Sequence, residues 1–210
     1  RNNPGHRASA RARTAAMSMS PAPTSPTPRE QADMTRPDYV RLGAATHRGL
    51  RLCPATNYYF ASRANVADIV AAELSQAALN YPLAFLPQEE EVGLVGLLSL
   101  EEGRNLFVAA SGAWLTDCVP ASVSTYPFRY RADGKGGRPV LLADMGSGLL
   151  TLEQEPGSEA LFDAQGRPLD KMRVIVGALK SYEKSRRLTR KVCGQIRQAG
   201  LLVPWGDGVE

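Results

Sequence analysis

The sequence predicts an α+β fold: mostly antiparallel strands, one inserted helix and a C-terminal helical pair. Three observations carry this. Short apolar runs bounded by Gly and Pro recur between Tyr39 and Leu152. One stretch of helical spacing, residues 65–80, interrupts them, and the end of the chain turns helical. The 210 residues suit one domain, or one domain with a tail. A composition 43% hydrophobic and 22% charged excludes collagen, coiled coil and wholesale disorder.

In chain order, residues 1–33 come first, rich in Ala, Ser, Thr, Arg and Pro, with prolines at 21, 23, 26 and 28. Such a segment buries too little apolar surface to offset its ordering entropy, so a disordered tail is expected. The chain opens with Arg1, while Met34 stands just before the first ordered pattern. The tail is therefore expected to be translated upstream sequence, and residues 34–210 a single domain. Short strands are expected at Tyr39–Leu42, Leu50–Leu52 and Tyr58–Ala61. Asn65 is then placed to cap a helix to about Asn80, with Val66, Val70, Leu74, Ala77 and Tyr81 as its buried stripe.

Leu83–Leu86 and Val92–Leu100 read as the next strands. Leu106–Ala109 and Ala113–Leu115 read as a hairpin turned at Ser111-Gly112. Arg129–Arg131 and Val140–Leu142 flank a turn at Asp133 to Gly137, and Leu149–Leu152 follows Gly146-Ser147-Gly148. Two helical stripes finish the chain: Met172, Ile175, Val176 and Leu179, then Leu188, Val192, Ile196 and Ala199, closed by Gly200.

Charge narrows the function classes. Of 25 Lys+Arg and 21 Asp+Glu, residues 1–33 hold five Arg and two acids, leaving 20 and 19 for the rest. The folded part is thus nearly neutral, and nucleic acid is not the expected partner, despite the basic run Lys180 to Arg197. No apolar stretch approaches the ~20 residues that span a bilayer as a helix. A signal peptide is not expected, because its apolar region is missing. Cys53, Cys118 and Cys193 form no CxxC pattern and fit a reducing compartment, so the expected location is cytoplasmic. Dinucleotide, P-loop, metalloprotease and hydrolase-elbow motifs are all missing. Neither cofactor nor metal is expected.

Two groups of residues stand out as candidates. Glu73 falls at the border of the apolar stripe of the expected helix, with Asn80 on the same side. A half-sunk carboxylate there needs a partner, such as His47 or an Arg, or else is a solvated edge residue. Tyr81-Pro82 and Tyr126-Pro127-Phe128 are aromatic-proline clusters, the second near Trp114. Each marks a strand start and suits a tight turn, for which a cis peptide is one option. They are either a packed corner or an aromatic floor for a peptide or small ligand. The binding candidates are therefore His47, Glu73, Asn80, Tyr81, Trp114, Tyr126 and Phe128.

The order of several segments resembles the SapC family of bacterial proteins. These include Tyr59-Phe60-Ala61, Glu73 to Pro82, Val95-Gly96-Leu97, and Asn105 to Val108 with Gly112 and Trp114. Val119-Pro120-Ala121, Tyr126-Pro127-Phe128, Leu161 to Pro168 and Gly200-Leu201-Leu202 continue it. The likeness covers roughly residues 38–205. It implies a surface-layer or cell-envelope connection, and hence association with the cell surface. The permease label carried by some members conflicts with the lack of a spanning segment. Family members usually have His where Asn80 stands and Arg near Ser124 and Thr125, so a polar site of the family would be reduced here. The resulting expectation is a binding or accessory protein for a small ligand, a peptide or an envelope protein, with a homo-oligomer as one option for its state. The alternative is an enzyme that modifies a small molecule or peptide in a pocket centred on His47 and Glu73.

Overall fold

The structure, a computed structural model, describes residues 33–43, 46–88, 91–132 and 139–205. The expected tail, apart from Asp33, and the expected Asp133 to Gly137 turn lie outside the described residues.

Three antiparallel sheets of three short strands each make up the β part. In the first, β7 (Pro139–Asp144) sits between β1 (Tyr39–Arg41) and β6 (Phe128–Ala132), with Tyr39 opposite Asp144 and Phe128 opposite Ala143. The second centres β2 (Arg51–Leu52) between β8 (Leu150–Thr151) and β9 (Glu159–Ala160). In the third, β5 (Glu91–Leu97) lies between β3 (Val66–Asp68) and β4 (Leu83–Gln88). Seven of these strands, β1, β2 and β4 to β8, fall within a few residues of the expected ones, whereas β9 was not expected.

Both helical expectations are corrected. Residues 65–80 are not one helix. Val66–Asp68 pairs with Leu97 to Val95, and the Asn65 carbonyl accepts from the Leu98 and Ser99 N–H groups (2.8 and 3.0 Å) instead of opening a helix. Buried Ala67 between half-buried Val66 and Asp68 is the strand's two-residue period, which the fourfold spacing of Val66, Val70 and Leu74 disguises. Helical backbone begins only with a 3₁₀ turn, Ala71–Glu73, followed by α1 (Leu74–Asn80).

The C-terminal helical pair is instead one helix, α3 (Asp170–Gln198), about 44 Å long at 1.5 Å per residue. The two apolar stripes are out of phase. Leu188 lies nine residues after Leu179, so at about 100° per residue it points half a turn away. The helix keeps its first phase. Met172, Leu179, Thr189 and Cys193 are buried, while Leu188 and Val192 are 54% and 41% exposed. Gly200, at φ +68°, closes α3 as expected: its N–H reaches the Arg197 carbonyl, and Leu201 N–H reaches Ile196.

Elsewhere Tyr59–Ala61 forms a 3₁₀ turn rather than a strand. The expected hairpin shrinks to one bridge, Val108 opposite Trp114. Its turn does pass through Gly112 at φ +79°, where a Cβ would sit 2.6 Å from that of Asn57. A single turn, α2 (Ala121–Ser124), precedes β6.

The buried side chains form two cores. One gathers Phe60, Ile69, Tyr81, Leu98, Tyr126 and Cys193; the other gathers Leu50, Phe128, Leu161, Phe162, Met172 and Leu179. Helix α3 serves both, and its polar middle crosses the seam between them. There Thr189 Oγ1 accepts from Ala71 N–H (2.8 Å) and Ser185 Oγ from Ala72 N–H (3.0 Å), two donors that the start of the 3₁₀ turn cannot satisfy internally.

Candidate functional site

The Tyr126-Pro127-Phe128 turn leads from α2 into β6 and contains a cis peptide bond at Tyr126–Pro127. The Tyr126 hydroxyl donates to Asp144 Oδ2 at 2.6 Å. Asp144 Oδ1 accepts from the Asp38 and Gly146 N–H groups at 3.1 and 3.0 Å. The buried carboxylate is thus fully engaged. Burial, reinforced by Asp144, pushes the Tyr126 hydroxyl pKa up.

From Tyr126 a run of rings crosses the first core. Tyr126 stacks on Phe60 (4.6 Å between centroids), Phe60 adjoins Tyr58 (5.9 Å), and Tyr58 meets Trp114 edge-on (5.5 Å). Phe107 links Trp114 to Tyr81 at 6.5 and 4.9 Å. The Tyr81 hydroxyl accepts from Trp114 Nε1 (2.9 Å), lies 2.9 Å from Thr116 Oγ1 and donates to the Cys118 carbonyl. The two aromatic-proline clusters are thus linked through Phe60, Tyr58 and Trp114, although Phe128 turns into the other core.

His47, Glu73 and Asn80 do not join them as a set. Glu73 Oε1 accepts from Val70 N–H (3.0 Å) and Oε2 from Ala121 N–H (2.8 Å), clasping the 3₁₀ turn to α2. Burial raises its pKa against the pull of those two donors. Its partners are backbone groups, not the expected His47 or Arg. His47 Nδ1 faces the N and O of Gly43 within its own turn, at 3.2 and 3.1 Å. Asn80 donates to the Gln76 carbonyl one turn back along α1.

Two concavities flank the Tyr126-Pro127-Phe128 turn and share no lining residue. Tyr126 and Pro127 border a cavity of about 210 Å³, together with Leu52, Cys53, Ser124 and Leu149. The Lys171–Glu159 ion pair (2.7 Å) also lines it. Phe128 and Arg129 instead border a polar cleft of about 200 Å³ between β6 and α3, with Tyr39, Ser122, Tyr182 and Arg186.

In that cleft Arg186 Nη2 meets Glu183 Oε2 at 3.0 Å, and the two side chains are only 24% and 16% exposed. Burial works against the Arg186 charge, but the hydrogen bond and charge of Glu183 outweigh it and raise the pKa. Burial, then the Asp68 charge, pushes the Tyr182 pKa up. The Arg129 guanidinium lies 5.0 Å from the centre of the Tyr39 ring.

Sequence reasoning passed over this cleft. Its signal was present in α3, where Tyr182, Ser185, Arg186 and Thr189 continue the spacing of Met172, Ile175, Val176 and Leu179 toward the interior. Among the described residues no three His, Cys, Asp or Glu side chains gather to hold a metal ion.

The molecule is an α+β protein with two differently lined concavities beside one aromatic-proline turn. Residues 42–209, most of the chain, match the family model described as SapC, and the chain belongs to the SapC family. No curated protein and no solved structure matches it. Among the described residues, no helix is long and apolar enough to cross a membrane.

Proposed function

We propose that this SapC-family protein acts by binding, as a binding or accessory protein in cell-envelope or surface-layer work. The Tyr126–Pro127 cavity then holds a small ligand or one side chain of a peptide. The cavity itself carries this reading. Its about 210 Å³ falls below the ~300–1,000 Å³ of pockets for drug-sized ligands, which favours a single side chain. Leu52, Pro54 and Leu149 offer it apolar walls, and the Lys171–Glu159 pair offers charges to orient a peptide backbone. The floor is held in advance by the Asp144 hydrogen bond and the Phe60 stack, which lowers the ordering cost of binding.

The enzyme alternative gains nothing from the geometry: both Glu73 oxygens are engaged by backbone donors, and His47 bonds Gly43. Among the described residues Cys53, Cys118 and Cys193 form no disulfide, which fits a reducing compartment and so a site of action on the cytoplasmic side of the envelope.

Titration of short peptides into isotope-labelled protein tests the reading. Peptides with an aliphatic or aromatic anchor are expected to shift the amide signals of Leu52, Ala55, Ser124 and Leu149. The Ser124→Trp variant, which fills the cavity from its exposed rim, is expected to lose those shifts. Silence across a broad peptide library, or turnover of any substrate by the purified protein, overturns the proposal.

A further inference from the structure

The polar middle of α3 poses a question that folding alone does not answer. Burying a charged pair costs desolvation, and a helix at the seam between two cores would be served as well by apolar side chains. Ser185 and Thr189 have structural work, since they accept the Ala72 and Ala71 N–H groups. Tyr182 and Arg186 are less fully used. Among the described residues the Tyr182 hydroxyl makes no hydrogen bond, and Arg186 Nε is buried without one. Both residues border the polar cleft, whose about 200 Å³ would hold six or seven waters at ~30 Å³ each. Ser122 and Thr125 place hydroxyl oxygens on its α2 side; each donates to a backbone carbonyl and keeps acceptor capacity.

The cleft opens into a wider groove of about 540 Å³, with which it shares Tyr130, Glu183 and Arg186. Lys180, Lys184, Arg187 and Arg190 complete that groove, setting five cations against one carboxylate. Arg190 meets Glu91 at 3.3 Å and Arg186 meets Glu183. Among the described residues Lys180, Lys184 and Arg187 have no carboxylate within 4.0 Å. Positive charge is thus concentrated at the mouth although residues 34–210 as a whole are near neutral, with hydroxyl groups further in.

The geometry points to a second binding site, distinct from the Tyr126–Pro127 cavity, that takes a phosphorylated sugar or polyol. Its hydroxylated body occupies the inner cleft between Tyr182 and Ser122, and its phosphate meets the cations of the mouth. Charge-assisted bonds from Lys and Arg are the strong contacts such a phosphate seeks, and the tyrosine rings and hydroxyls suit a sugar. A polymer such as DNA fits less well: Lys180 to Arg190 spans about 15 Å of helix, room for few phosphates of one strand. A free sugar phosphate and the phosphorylated headgroup of a lipid present the same chemistry, so both enter the test.

Calorimetric titration with hexose phosphates, inositol monophosphate, glucose, inositol and inorganic phosphate reads the site directly. At least one phosphorylated sugar or polyol is expected to bind tenfold or more tightly than its unphosphorylated parent and than phosphate alone. The exposed double substitution Lys184→Glu with Arg187→Glu is expected to weaken that binding tenfold or more. Tyr182→Phe, which keeps the ring, is expected to weaken sugar-phosphate binding several-fold while leaving phosphate binding unchanged. Ser124→Trp in the other cavity is expected to change none of these values. A parallel arm uses phosphatidylcholine vesicles with and without a phosphoinositide. Preference for the vesicle-borne headgroup assigns a lipid source and preference for the free compound a soluble one, and either supports the site. No binding in either arm, equal affinity for inorganic phosphate and every sugar phosphate, or tighter, steeply salt-dependent binding of DNA to the same cations overturns it.

Discussion

Glu73 accepts backbone N–H groups from two separate helical turns, so its removal strands two donors at once. Each donor left without an acceptor costs about 1–3 kcal/mol, so Glu73→Ala is expected to lose about 2–6 kcal/mol in urea unfolding. An undiminished midpoint would show that the clasp is dispensable. Its ionisation has a definite sign. The folded pKa is raised above the ordinary 4.5, so the folded protein holds this proton more tightly than the unfolded chain does. That contribution to stability is full below the unfolded value and fades as pH rises through the folded one. Measured against Glu73→Gln, the wild type is expected to lose stability as pH rises above the ordinary 4.5. Parallel stability–pH curves for the two proteins would refute this.

At the scale of elements, α3 makes a sharp comparison between positions one residue apart. Thr189→Val keeps the shape but strands the Ala71 N–H, at about 1–3 kcal/mol. Leu188→Lys, on the exposed face, is expected to change stability by no more than about 0.5 kcal/mol. Thermal melts with the reverse ranking would mean that the helix buries its other phase. The same helix shows what the sequence could and could not disclose. Strands such as β4 and β5 were legible because short apolar runs between turn residues are a local signal. β3 was not, because Val66, Val70 and Leu74 satisfy a helical spacing and only pairing with β5, some thirty residues away, decides for a strand. The packing of Tyr81 and Tyr126 at corners could be suspected from the proline that follows each. The partners of Glu73 could not, since backbone donors leave no mark in a sequence. The cleft needed β1, β3, α2, β6 and α3 together, an arrangement that no local window contains.

For the whole molecule, the two cores share α3, with Met172 and Leu179 in one and Cys193 in the other. Truncating Leu179 to Ala is expected to cost roughly 2–5 kcal/mol. Because the helix ties the cores together, the loss is expected to lower one common unfolding transition, whether followed by far-ultraviolet dichroism or by tryptophan emission. Two separated transitions would show that the cores melt independently. The unbroken run of α3 has one more consequence, for how the chain can change over time. Between Leu179 and Thr189 the helix acts as a ruler. Residues there can be exchanged one for another, but inserting or deleting one would swing everything beyond it by about 100° and pull Cys193 out of its core. Variation in length is therefore expected to collect in the connecting loops, and the interval from Leu179 to Thr189 to keep its count.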